Sequence, residues 1–152
     1  MQIFKNKENH LEIDTKKAVT IINDEILVND IRLEGAGEYE IGEVAIEGIS
    51  EDIYLCQAED IYFALVNFKE KLSKENIEKL SSVSLLISRV DGNLQEALEQ
   101  IAQIEPNINI YAGGEEDVAK IESAGVTVEK TENIKLSKSD LDTEKSYFIA
   151  VG

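Results

Sequence analysis

The chain has 152 residues, 43% hydrophobic and 30% charged, with 31 Asp plus Glu against 15 Lys plus Arg and a formal net charge of −16. That length is enough for one domain that buries roughly two thirds of its unfolded surface. The acid excess disfavours nucleic acid and anionic membrane as partners, since both recruit basic patches.

So much acid reads first as a solvated surface that keeps the molecule dispersed, the alternative being an acidic interaction patch. The single cysteine, Cys56, lies in the apolar run Ile53-Tyr54-Leu55-Cys56 and reads as a buried structural thiol. Met1-Gln2-Ile3-Phe4-Lys5-Asn6 lacks the apolar stretch of a signal peptide, and no later run approaches the about 18 residues of a membrane span. The expectation is a cytoplasmic protein.

Up to Phe68 the chain is strand-like. Period-two alternation marks His10-Leu11-Glu12-Ile13-Asp14, then Val19-Thr20-Ile21-Ile22, Ile26-Leu27-Val28 and Ile31-Arg32-Leu33, with polar punctuation between them. In residues 38–47 the pair Gly42-Glu43 suits a two-residue hairpin with glycine taking a positive φ at the first central position. Tyr39 and Ile41 then share a buried face with Val44 and Ile46, and the glutamates face water. Strands at 53–57 and 61–68 follow, the second apolar enough to lie centrally in a sheet.

The second half alternates strand and helix. Ser73 can cap a helix through Leu80, and residues 83–87 read as a buried strand. Asn93 with Glu96 resembles a capping box, and Leu94, Ala97, Leu98, Ile101 and Ile104 form one apolar helical face. Pro106 stops that helix and residues 108–111 form a strand. Gly114-Glu115-Glu116-Asp117 opens another helix with acids at the positive end of its dipole, and Gly125 ends it. Residues 126–128 and 147–151 are closing strands, joined through a polar stretch around 136–140. No repeat or composition break divides the chain, so residues 1–152 are expected to form one domain.

Antiparallel strands followed by strand and helix alternation are compatible with an αββα sandwich without selecting it. Gly35-Ala36-Gly37-Glu38-Tyr39-Glu40-Ile41-Gly42, with residues 44–49 and the strand pair at 53–68, resembles the central region of metallo-β-lactamase-fold proteins of the lactonase-like, metal-dependent hydrolase branch. Leu72-Ser73-Lys74-Glu75-Asn76-Ile77-Glu78-Lys79-Leu80, Glu105-Pro106-Asn107-Ile108-Asn109-Ile110 and Ile134-Lys135-Leu136-Ser137-Lys138-Ser139-Asp140-Leu141 are similar in order and spacing. The resemblance covers most of residues 35–141 and, more weakly, the first 23, and implies a shortened metallo-β-lactamase-like αββα sandwich, of mixed α+β and α/β character.

That family's chemistry needs a His-x-His-x-Asp-His loop plus later His and Asp ligands around zinc. This chain has one histidine, His10. The resemblance sets Ala64, Asn67 and Glu70 where His, Asp and His are expected, with Gly113 near the last histidine. One histidine cannot fill these places, so the expectation is no metal, no cofactor and no catalytic residue.

His10, on a short alternating strand, reads as an exposed or singly hydrogen-bonded imidazole rather than a ligand. Asp24, Glu25, Asn67, Glu70 and Asp91 could form an oxygen-only magnesium or calcium site, though chance proximity among 31 acids accounts for them equally well. No motif places a histidine base beside a serine. Asp91-Gly92-Asn93 and Ala112-Gly113-Gly114 are candidate loops at strand ends, where α/β sheets bind ligands, yet turn and cap chemistry explains both. The expected function is non-enzymatic binding or assembly, with an unknown protein or small-molecule partner or with further copies of the chain. The alternative is a residual hydrolase using a carboxylate-bound divalent ion.

Overall fold

Fourteen strands and three helices follow in chain order among the residues that the computed structural model describes, 1–141 and 146–152. They are β1 (Gln2–Lys5), β2 (Leu11–Asp14), β3 (Val19–Ile22), β4 (Ile26–Val28), β5 (Ile31–Arg32), β6 (Gly37–Ile41), β7 (Val44–Ser50), β8 (Ile53–Ala58), β9 (Ile61–Phe68), α1 (Lys74–Leu80), β10 (Leu85–Val90), α2 (Leu94–Ile104), β11 (Ile108–Tyr111), α3 (Glu115–Ser123), β12 (Glu129–Thr131), β13 (Asn133–Lys135) and β14 (Tyr147–Val151). A 3₁₀ turn, Lys138–Leu141, precedes the last strand.

One sheet has six strands in the order β13-β1-β2-β3-β4-β5, all antiparallel. The other has eight, in the order β12-β14-β11-β10-β9-β8-β7-β6. Its β6 to β9 portion is antiparallel and its β9 to β12 portion parallel. The period-two pattern explains the facing of the sheets. Ile3, Leu11 and Ile13 from the first sheet and Cys56, Phe63, Leu65, Leu85 and Ile110 from the second are all buried in one shared core. Each such side chain contributes about 1.5–3 kcal/mol of burial.

The opposite face of the eight-stranded sheet carries the helices. Ala64, Val66, Phe68 and Leu86 meet Leu80, Ala97, Ile101 and Ile104 of α1 and α2, while Tyr111 meets Val118 and Ile121 of α3. Among the described residues the molecule therefore has three layers, two sheets and one helical layer. A second helical layer over the six-stranded sheet, which a four-layer αββα sandwich requires, is not among them. No described helix is long and apolar enough to cross a membrane.

Several sequence expectations need adjustment. The hairpin at Gly42-Glu43 has positive φ at both central residues, +56° and +62°, so it is a type I′ rather than a type II′ turn. Glycine is required at 42 by crowding as well, since a Cβ there would lie 2.3 Å from the Lys17 carbonyl oxygen. The strand expected at 83–87 is displaced to β10, which runs on through Ser88 and Arg89 because pairing with β9 continues to Phe68. Residues 126–128 pack Val126 and Val128 against the α3 cluster, and the paired strand is the more polar β12 that follows. On α2, Leu98 is half-buried toward α3 and the buried face includes Gln100, which donates to the Leu72 carbonyl and accepts from the Leu72 N–H, each at 3.1 Å. Neither β1 nor β13 was marked by sequence, and each pairs with the other at the sheet edge.

Candidate functional site

Parallel strands β9, β10 and β11 all end at the same edge, and the loops after β3, β7 and β11 close over it. Asn67 on β9 is in register with Arg89 on β10, and Ser88 with Tyr111 on β11. A cavity of about 280 Å³ opens there, walled by Ile22, Leu33, Tyr54, Leu65, Ile87 and Ala112 and rimmed by Asp24, Glu34, Glu51, Asn67 and Arg89. A neighbouring cavity of about 390 Å³ shares Asn23, Asp24, Arg89 and Ala112 and is lined further by Lys5, His10, Asp91, Tyr111, Gly113 and Asp117.

Arg89 stands between the two. Its Nη1 donates to the Asn23 carbonyl, its Nη2 donates to Asp24 Oδ1 at 3.0 Å, and its Nε lies 3.6 Å from Asp91 Oδ1. Asp91 also accepts from Asn67 Nδ2 at 2.9 Å. A carboxylate only accepts, so this bond fixes the amide orientation and turns Asn67 Oδ1 away, buried and without a partner. Asn67 N–H donates to the Asp52 carbonyl at 2.8 Å, which ties the end of β9 to the turn after β7.

On the other side of Arg89, the Tyr111 hydroxyl donates to Asp117 Oδ2 at 2.8 Å. Burial, then that carboxylate, pushes the phenol well above its ordinary range. Gly113 is explained by this ring, since a Cβ on it would fall 2.4 Å from Tyr111 atoms. Burial lowers the pKa of Lys5. His10 is half-buried, with Nδ1 3.6 Å from Glu8 Oε2. Tyr54, 1% exposed, accepts the Gly35 N–H at 2.7 Å, and burial raises its pKa. Cys56 is 4% exposed in the inter-sheet core, and burial pushes its thiol far up, which disfavours the reactive thiolate.

Of the residues singled out from sequence, Asp24, Glu25, Asn67, Asp91 and Gly113 reach this edge. Ala64 does not: fully buried, it faces α1 and α2 in mid-strand. Glu70 is exposed in the turn after β9 and lines neither cavity. Asp24 is 96% exposed at its side chain and occupied with Arg89, and Glu25 is 3.5 Å from Arg32. Asp91-Gly92-Asn93 and Gly113-Gly114 also serve their helices, Asn93 Oδ1 accepting from Glu96 N–H at 2.9 Å and Gly114 capping α3.

Arg89, Tyr111, Asp117 and His10 as members of this cleft were not legible as site residues. The available signal was an arginine ending an apolar parallel strand, since such ends carry ligand sites.

Among the described residues, no group of three or more His, Cys, Asp or Glu side chains is placed to hold a metal ion. A metal fits poorly for a positive reason as well. The oxygens of Asn23, Asp24 and Asp91 already surround a guanidinium, whose fixed charge repels a second cation. No protein-family model, curated protein or solved structure matches the chain.

Proposed function

We propose that this protein is a shortened, metal-free relative of the metallo-β-lactamase fold that works in binding or assembly rather than catalysis. The observation that carries the reading is Arg89, an internal cation held by the Asn23 carbonyl, Asp24 and Asp91 at the strand-end cleft. Supporting it are the passage of one sheet from antiparallel to parallel strands and the convergence of β9, β10 and β11 on that cleft. The cleft offers apolar walls and paired charges, which suit recognition of a small or peptidic partner. Its phenols, Tyr54 and Tyr111, are buried and shifted away from ionisation, which disfavours them as nucleophiles.

Elemental analysis of protein purified without chelator tests the reading. The expected result is far less than one zinc per chain, retention of the fold in strong chelator, and no zinc-restored hydrolysis of lactones or phosphodiesters. Carboxylates alone compete poorly with water for zinc, and the chain has one His and one Cys. Stoichiometric zinc that survives dialysis, with lost structure or activity on its removal, overturns it.

A further inference from the structure

The helical layer does not cover the whole outer face of the eight-stranded sheet. Beyond β9, toward the β6 edge, two cross-strand rows stand open. One runs Glu38, Glu47, Leu55 and the other Glu40, Ala45, Gln57, Tyr62. Glu38, Glu40, Ala45, Glu47, Gln57 and Tyr62 are all exposed, and Tyr62, at 56%, is the most exposed large hydrophobic side chain. A groove of about 570 Å³ follows these residues and is bordered by Ser82 and Val83, just past α1.

The charges here are arranged at a cost. Glu38 and Glu47 sit directly opposite each other across an antiparallel pair, a juxtaposition of like charges that destabilises a sheet. Glu40 lies on the same face two residues along. Among the described residues none of the three is ion-paired, although other acids in the molecule pair with Lys17, Arg32, Lys69, Lys79, Arg89 and Lys130. Three unneutralised carboxylates therefore lie beside an apolar strip of exposed Ala45 and Tyr62 and half-buried Leu55, whose inner side packs against the helix-side core.

We propose that this face docks a basic amphipathic helix of a partner protein, laid beside α1 as a continuation of the helical layer. The dimensions suit one helix: β6 to β9 span three inter-strand spacings, about 14 Å, against a helix diameter of about 10–12 Å. Apolar residues at i, i+3, i+4 and i+7 would cover Leu55, Ala45 and Tyr62. Flanking Lys or Arg would neutralise Glu38, Glu40 and Glu47 and relieve their repulsion. A second copy of the chain is a poor occupant, because face-to-face pairing would oppose the same glutamates. This inference rests on the binding-or-assembly reading above and adds to the strand-end cleft a second, separate face with its own partner chemistry; zinc content tests that reading and is not altered by the outcome here.

The test titrates the full-length isotope-labelled chain with a 16-residue helical Leu/Lys peptide carrying Leu on one face. The comparison peptide has the same charge with Leu replaced by Ser. Expected are amide shifts confined to β6–β8 and the 81–83 turn, and binding at least about tenfold tighter for the Leu/Lys peptide. Glu38→Gln with Glu47→Gln, and separately Tyr62→Ser, should each weaken binding about tenfold or more, whereas Glu116→Gln, an exposed acid on α3, should leave it unchanged. In the free protein Glu38→Gln should raise Tm by about 1–3 °C, the mark of a repulsion retained for a partner. Equal affinity for the two peptides, shifts centred elsewhere, or a dimer formed through this face in sedimentation would each overturn the proposal.

Discussion

Asn67 donates to Asp91 across 2.9 Å, and this single bond joins the ends of two neighbouring parallel strands at the cleft. The same carboxylate faces Arg89 Nε at 3.6 Å, so removing it strands two donors at once. Asp91→Ala is therefore expected to cost about 1–3 kcal/mol in urea unfolding. In a double-mutant cycle with Asn67→Ala, a coupling of about 0.5–1.5 kcal/mol is expected. Coupling near zero would mean that the pair contributes nothing beyond its separate parts.

Arg89 holds the loop after β3 through the Asn23 carbonyl and Asp24. Arg89→Met keeps the stem and removes the fork, which leaves the part-buried Asn23 carbonyl without its donor and frees Asp24. The expected loss is about 1–3 kcal/mol, with faster amide exchange at residues 22–26. Protection there that matches the unsubstituted chain would show that the loop is held by its own turn.

Residue types explain why some of this was legible and some was not. The α2 helix announced itself through local chemistry: Asn93 caps it and its apolar positions recur at helical spacing. The hairpins around Gly42 and the strands through Phe68 are equally local. By contrast β13 is three residues of a polar stretch that become a strand by pairing with β1, more than 120 residues away in sequence. Arg89 was missed because a strand read by apolar continuity ends at Ile87, whereas pairing carries it on to Val90. Ala64 and Asn67, three apart on one strand, necessarily point to opposite faces, so an alignment could not bring both to the cleft.

The depth of the α2 face can be measured. Ile101 is 6% exposed and packs under α1, so Ile101→Ala should cost about 2–5 kcal/mol. Leu98 is half-buried toward α3 and should lose roughly half as much. Equal losses in denaturant melts would mean that α2 is rotated about its axis relative to this arrangement.

The Gly42-Glu43 turn makes two opposite predictions. Gly42→Ala places a Cβ against the Lys17 carbonyl, a backbone atom that cannot swing aside, and should cost about 2–3 kcal/mol or more. Glu43 adopts a left-handed φ that asparagine tolerates better, and its ion pair with Lys17 at 2.9 Å is exposed on both sides. Glu43→Asn should thus gain about 0.5–1 kcal/mol. A loss on that substitution would show that the ion pair outweighs the backbone.

Asp14 gives the molecule a pH dependence whose sign follows from its surroundings. Burial, and the neighbouring Glu12 on the same face of β2, push its carboxyl from 3.8 to about 6. Between those values the folded chain keeps a proton that the unfolded chain has released. The stabilisation is complete below the unfolded value and is lost as pH rises through about 6. Asp14→Asn cannot ionise, and its amide can still donate to Glu12. Its melting temperature should match that of the unsubstituted chain near pH 4 and exceed it near pH 7, the gap opening between about pH 4 and 6. Other carboxylates titrate in both proteins, so the difference between the two curves isolates position 14. A gap that is constant across this range, or one that opens toward acid, would mean that Asp14 is charged in the folded chain throughout.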